Sequence, residues 1–245
     1  MTEFDFIIVG AGSSGCVLAN RLSASGHHSV LLLEAGGSDR RFWLRTPIGY
    51  GMSFYNPRVN WMYRTEPDPA LAGRQGYWPR GKVLGGSGTI NAMVFVRGQP
   101  RDFDDWAALG NSGWGWSDVL PYFRRLEDSP HGPSDMRGKG GPVHVSDVRA
   151  DVHPLCENYL RAGQEMGLAR NPDINGASNE GVAINQITTR NGLRESASTA
   201  YLRPALRRSN LQVETAAHVT RVVFEGRRAT GVVFTQHGRE RRCTA

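Results

Sequence analysis

Gly10-Ala11-Gly12-Ser13-Ser14-Gly15 forms a G-x-G-x-x-G turn, and Glu34 stands about 20 residues beyond it. These types at this spacing suit the grip of a dinucleotide. Gly10 permits the tight turn, Gly12 has no side chain to hold the backbone off a pyrophosphate, and Gly15 lets a following helix pack closely on a sheet. The start of that helix would aim N–H groups and a partial positive charge at the phosphates. A carboxylate at 34 can accept both hydroxyls of an adenosine ribose, through charge-assisted bonds of roughly 1.5–3 kcal/mol each. The same charge would repel the 2′-phosphate of NADP. This motif does not separate FAD from NAD.

A second glycine-rich segment does. It runs Gly81-Lys82-Val83-Leu84-Gly85-Gly86-Ser87-Gly88-Thr89-Ile90-Asn91-Ala92-Met93-Val94-Phe95-Val96-Arg97-Gly98. NAD has no need of it, whereas a flavin held in an extended pose needs protein packed against the isoalloxazine. The segment, on through Asp104, resembles the first signature of the glucose-methanol-choline oxidoreductases. So do the first motif, Gly36, the stretch from Asn60-Trp61 to Pro69, and Arg190-Asn191-Gly192-Leu193-Arg194-Glu195-Ser196 on to Pro204. The resemblance covers essentially the whole chain and is closest to the bacterial choline-dehydrogenase-like branch.

That resemblance implies an α/β fold: a Rossmann-like FAD-binding domain over residues 1–245, with the beginning of an α+β substrate domain interleaved at about 151–204. It implies that Gly10, Gly12, Ser13, Ser14 and Gly15 hold the pyrophosphate, and Glu34, with Ala35 beside it, the adenosine ribose. Val83, Gly86, Ser87, Asn91, Ala92, Met93 and Val94 would line the flavin and its ribityl chain, and Val219 would set its backbone against the adenine. Some members of the family carry a flavin-linked histidine just before the asparagine of the signature; here the position is Ile90, so the FAD is expected to be non-covalent. The implied reaction is oxidation of a small-molecule alcohol to an aldehyde or ketone by hydride transfer to flavin N5, with oxygen or a quinone as acceptor. A histidine is the suited base near neutral pH. In the family that histidine and its His or Asn partner come past residue 245, as does a second signature, so no catalytic residue is expected within this chain. The chain is therefore expected to be a truncated portion, binding FAD poorly if at all. The alternatives are a flavin-containing lyase, an NAD-dependent Rossmann enzyme and a non-catalytic nucleotide-binding remnant.

Other chemistries fail on spacing. No G-x-S-x-G nucleophile turn occurs, because Ser87 is followed by Gly88-Thr89. The seven histidines, His27, His28, His131, His144, His153, His218 and His237, do not stand at metal-ligand spacing, and no metal site is expected. Asp102, Asp104 and Asp105 favour the start of a helix. Cys16, directly after the first turn, is expected to be packed and not redox-active.

The glycine turns need elements to hold them. Residues 4–9 read as a strand buried on both faces, 13–25 as a helix ended by Gly26, and 30–33 as a second strand; together they make a βαβ unit. Residues 38–80, rich in aromatics, Pro and Gly, show no clear regular element. A short helix is expected from about 89, and further helices at 102–109, 117–126, 154–166 and 194–202. The Gly/Pro/Ser-rich stretch 128–142 is the expected boundary. Strands are expected at 211–214, 219–224 and 230–235, with Glu225-Gly226-Arg227 as a turn. After them comes a charged stretch without a closing element.

The chain has 245 residues, 39% hydrophobic and 21% charged, as in ordinary globular proteins. Its 30 glycines exceed the usual share of roughly 7%, without a repeat period. The net charge of +6 comes from arginines scattered among acids, which excludes a nucleic-acid stripe. Three cysteines are too few for a disulfide framework, the N-terminus lacks a basic leader, and no apolar run reaches membrane-spanning length. A cytoplasmic protein is the expectation.

Overall fold

Phe6–Val9 (β1), Ser13–Leu22 (α1) and Val30–Leu33 (β2) form the βαβ unit that positions the first glycine turn. β2 is the centre of a three-stranded parallel sheet, flanked by β1 and by Leu211–Glu214. All four β2 residues are buried, which is why the strand is an unbroken apolar run. The N–H of Gly10 donates to the Leu33 carbonyl (2.8 Å) and that of Glu34 to the Glu214 carbonyl (2.9 Å). The turn and the acid therefore leave the sheet side by side, at the carboxyl ends of the strands.

The computed structural model describes residues 3–245. It divides into two units: the chain up to Ala92 together with Gly192–Ala245, and Met93–Asn191. The stretch 128–142 lies within the second of these.

In the first unit, α1 stops at Leu22 and not at residue 25. The Ser23 hydroxyl donates back to the Ala19 carbonyl at 2.6 Å and closes the last turn. β1 starts two residues later than expected because the Asp5 carboxylate leaves the ladder to accept the N–H (2.7 Å) and hydroxyl (2.8 Å) of Ser29. A three-stranded antiparallel sheet follows: Ala217–Glu225, Arg228–Gln236 and Arg239–Thr244. Its last strand corrects the reading of that segment as a charged stretch without a closing element. Arg239-Glu240-Arg241-Arg242 tolerates its charges because its side chains stay largely exposed while its backbone pairs with the neighbouring strand. Phe4, Leu31, Leu33, Ala217, Val232 and Phe234 form one buried cluster that joins the two sheets.

Residues 38–80 are ordered by hydrogen bonds rather than by periodicity. Short helical turns occur at Phe42–Arg45, Pro47–Gly49 and Tyr50–Ser53, and Tyr63–Arg64 pairs antiparallel with Tyr77–Trp78. The buried Asn60 holds the base of that hairpin. Its amide donates to the Phe54 carbonyl (2.8 Å), and its oxygen accepts from Met62 N–H (2.9 Å) and Arg80 N–H (3.0 Å). The helix expected from about 89 is instead a single 3₁₀ turn at Gly86–Thr89, ending where the helix was to begin. The helix expected at 194–202 is a π-turn at Ser198–Leu202 running into Arg203–Ala205, while Leu193–Arg194 is extended.

In the second unit, helices at Pro100–Ala108, Trp116–Leu126 and Leu155–Glu165 lie within two residues of their expected ends. The first starts on Gln99, whose N–H donates to the Asp102 carboxylate (2.8 Å), with Pro100 at the first helical position. The centre of the unit is ionic. The fully buried Glu127 carboxylate accepts from Arg97 and from Arg137, and Arg137 also pairs with Asp173. Among the described residues no helix is long and apolar enough to cross a membrane, and no group of three or more His, Cys, Asp or Glu is placed to hold a metal ion.

Candidate functional site

A cleft of about 800 Å³ opens in the first unit at the carboxyl ends of the parallel strands, the position at which open α/β sheets bind ligands. Its floor is the first glycine turn. Gly10 has φ +91°, a conformation that side chains resist. A Cβ on Gly15 would sit 1.9 Å from the Gly10 carbonyl oxygen, so the helix can approach the strand only without one. A Cβ on Gly12 would meet nothing within 4 Å. It would point into open space, and no side chain caps the first turn of α1 at this residue. An anionic group set against that end would meet bare backbone and the positive end of the helix.

The second glycine turn closes against the first. Gly85 N–H donates to the Ala11 carbonyl at 2.7 Å, and a Cβ on Gly86 would come within 2.7 Å of Gly12 Cα. The turn is held from behind by Gly81 N–H donating to the Ser87 hydroxyl (3.0 Å) and by Leu84 N–H donating to the Gly37 carbonyl (3.0 Å). Beneath it Leu44, Val59, Val83 and Ile90 form a second buried apolar cluster.

Glu34 stands at the tip of β2, only 5% exposed. One of its carboxylate oxygens accepts Ala11 N–H (2.9 Å) and the other Gly36 N–H (2.8 Å). Each oxygen keeps a lone pair for a further donor. Burial pushes its pKa up, while the two N–H bonds and the nearby Lys82 ammonium pull it down; burial wins. The Cys16 thiol, fully buried and donating to the Ala11 carbonyl (3.2 Å), is pushed by burial up to about 12, which keeps it a packed thiol.

Of the positions singled out in the sequence, Gly10, Gly12, Ser13, Glu34, Ala35, Gly86, Ser87 and Val219 line this cleft. Ser14 and Gly15 lie in the first turn of α1, Ser14 exposed and Gly15 behind the wall. Val83 is in the buried cluster under the second turn. Asn91 and Ala92 are exposed at the end of the first unit. Met93 and Val94 open the second unit, Met93 at φ +64° and Val94 in a short strand paired with Gln186–Ile187. They do not line the cleft.

The cleft also has a wall that went unnoticed in the sequence: Trp61, Tyr63, Trp78, Arg80 and His218. Trp61 stacks on Tyr63 (5.9 Å, 5°) and takes the edge of His218 (5.5 Å). The Lys82 ammonium lies 4.6 Å over Trp61 and the Arg80 guanidinium 4.9 Å over Trp78. A signal was present. Trp61 and Tyr63, then Trp78, Arg80 and Lys82, recur at every second residue, the period of one face of a hairpin. Bare backbone at a helix start, a carboxylate with spare lone pairs, basic groups and flat aromatic faces are what a dinucleotide requires. The residues present fit such a group.

Comparison with known proteins bears on the same features. The family model described as GMC oxidoreductase matches residues 4–245. The chain is 43% identical over 239 residues to the oxygen-dependent choline dehydrogenase of Photobacterium profundum, covering 97% of this chain and 42% of that protein. Among solved structures it is similar to pyridoxine 4-oxidase from Mesorbium loti, at 35% identity and a TM-score of 0.93, covering 98% of this chain and 48% of that one. It is also similar to an FAD-dependent oxidoreductase from Chaetomium thermophilum, at 30% identity and a TM-score of 0.89, covering 99% and 44%. The chain thus spans less than half the length of the relatives it matches. Because the family match takes in both glycine turns, Glu34 and the strands that carry them, the chain belongs to the GMC oxidoreductase family.

Proposed function

We propose that this chain carries the FAD grip of an alcohol-oxidising flavoprotein, a choline-dehydrogenase-like oxidoreductase acting on a CH–OH donor. The observation that carries the reading is the contact between the two glycine turns beside Glu34, which leaves one continuous cleft with a bare helix end at its floor. The Chaetomium relative is described as FAD-dependent, and the Photobacterium relative as a choline dehydrogenase.

In this reading Glu34 accepts the ribose hydroxyls, and Gly10, Gly12, Ser13, Ser14 and Gly15 present backbone to the pyrophosphate. Val219 and the aromatic wall flank the adenine, while Val83, Gly86, Ser87 and Asn91 through Val94 serve the flavin half. FAD, when bound, supplies the hydride acceptor for alcohol oxidation. Ile90 offers no nucleophile for a covalent link, so the cofactor is held non-covalently. The stretch from about 151 to 204, most of it in the second unit, begins the substrate-facing part. The base that takes the hydroxyl proton lies in the length of the relatives that this chain does not span. The substrate is a small alcohol and the final acceptor oxygen or a quinone.

The test is ligand binding by the full chain. Purified protein titrated with FAD and with ADP is expected to bind both weakly, read as a rise in Tm at millimolar excess of either ligand, larger with FAD. A chain whose Tm is moved by neither ligand at millimolar excess would defeat the reading.

A further inference from the structure

Arg194 is a buried cation without a counter-ion. It is 5% exposed, and among the described residues no carboxylate pairs with it. Its Nη2 is buried and has no hydrogen-bond acceptor. Burial alone brings its pKa down to about 10. A buried charge left in this condition is costly, and each such case calls for a reason.

Its remaining bonds supply one. Arg194 Nε donates to the Leu44 carbonyl (2.9 Å), and Nη1 donates to the Gly88 carbonyl (3.2 Å) and to Asn91 Oδ1 (2.9 Å). Leu44 and Gly88 sit in the last residues of the helical turns Phe42–Arg45 and Gly86–Thr89. Those are the ends where carbonyls lack partners and the backbone dipole is negative. The guanidinium fork thus joins two helix ends to one side chain. Because arginine can only donate, the Asn91 oxygen must face it and the Asn91 amide nitrogen must face away.

We propose that Arg194 is a positioning residue for the flavin half of the cofactor: it locks the second glycine turn and fixes the Asn91 side chain against it. This rests on the FAD reading above and deepens it. The adenosine half, built on Glu34 and the first turn, owes nothing to Arg194. The two halves should therefore respond differently when Arg194 is changed.

The experiment compares FAD with ADP on the full chain carrying Arg194→Lys, Arg194→Met or Asn91→Asp. The wild-type chain is expected to bind FAD more tightly than ADP. Arg194→Lys keeps the charge but not the fork and should weaken FAD about tenfold; Arg194→Met should weaken it about a hundredfold. ADP affinity should stay within about twofold for both, well short of the loss of one such bond. Asn91→Asp gives the guanidinium a counter-ion and puts a carboxylate beside the proposed flavin half, so Tm should rise while FAD binding weakens. It decides the matter even if the Arg194 variants fail to fold. Equal losses for FAD and ADP would mean a merely structural role and overturn the proposal, as would unchanged FAD affinity or an Asn91→Asp variant with no gain in Tm. A wild-type chain that binds FAD no better than ADP would overturn it too, while leaving the adenosine grip standing. A wild-type chain that binds neither would bring down the functional reading itself.

Discussion

Gly85 N–H reaches the Ala11 carbonyl at 2.7 Å, and the next residue, Gly86, lies so near Gly12 that a Cβ on it would stand 2.7 Å from Gly12 Cα. Two turns far apart in the chain therefore share one backbone contact. The contact separates two kinds of glycine. At Gly86 the side chain is missing because backbone occupies its place, and φ is +57°. At Gly12 it is missing while the place stands open.

That difference is measurable. Gly86→Ala must push the two turns apart and should destabilise the fold by about 1–3 kcal/mol, with a lower urea midpoint even without ligand. Gly12→Ala should leave the urea midpoint nearly unchanged yet weaken FAD and ADP at least tenfold, because its methyl enters the space where the pyrophosphate is proposed to lie. Equal effects of the two variants on stability would contradict the assignment of Gly12 to the ligand.

Glu34 should give ligand binding an acid limb. Its folded pKa is raised above 4.5, so it protonates at a higher pH than an ordinary glutamate. Ribose hydroxyls donate better to the charged form, so ADP affinity should fall as pH drops through that raised value. Glu34→Gln should weaken ADP at neutral pH by about 10–100-fold and flatten this limb. Lys82→Gln removes a group that pulls the pKa down and should move the limb to higher pH. Without ligand the sign reverses. An acid whose folded pKa is raised favours the fold when protonated, so this contribution is full below 4.5 and is lost as pH rises through the folded value. Calorimetric titration with ADP across pH 4–8 reads the first effect, and thermal melts of the ligand-free chain read the second.

The centre of the second unit should tolerate little. Glu127→Ala would leave Arg97 and Arg137 buried without their shared carboxylate. Removing one partner of a buried ion pair costs about 3–5 kcal/mol. Hydrogen exchange is expected to show lost protection in the helices Pro100–Ala108 and Trp116–Leu126, with β2 amides still protected. Unchanged exchange in those helices would refute the network's role.

The mode of cofactor attachment is open to a direct assay. Ile90 is 2% exposed, packed with Leu44, Val59 and Val83, and has no atom able to bond to a flavin. Acid precipitation of FAD-loaded protein should leave the yellow colour in the supernatant; colour in the pellet would exclude non-covalent binding.

The sequence alone determined the parts whose function depends on residue type at short range. Gly10 and Gly15 are legible because only glycine serves at a tight left-handed turn with a helix packed against it. β2 is legible because a strand covered on both faces must be apolar throughout, and the helices at Pro100–Ala108 and Trp116–Leu126 because each first turn carries an acid, Asp102 and Asp118. Tertiary structure decided what depends on contacts between distant segments. Val83 packs beneath the second turn with Leu44, Val59 and Ile90, a placement that only folding sets, since an apolar residue in a glycine loop can face either way. The strand Arg239–Thr244 hides behind its charges because a backbone ladder does not ask for apolar side chains. Arg194 looks like any arginine until folding brings Leu44, Gly88 and Asn91 around it, because a missing counter-ion is a property of three-dimensional surroundings and leaves no mark on the chain itself.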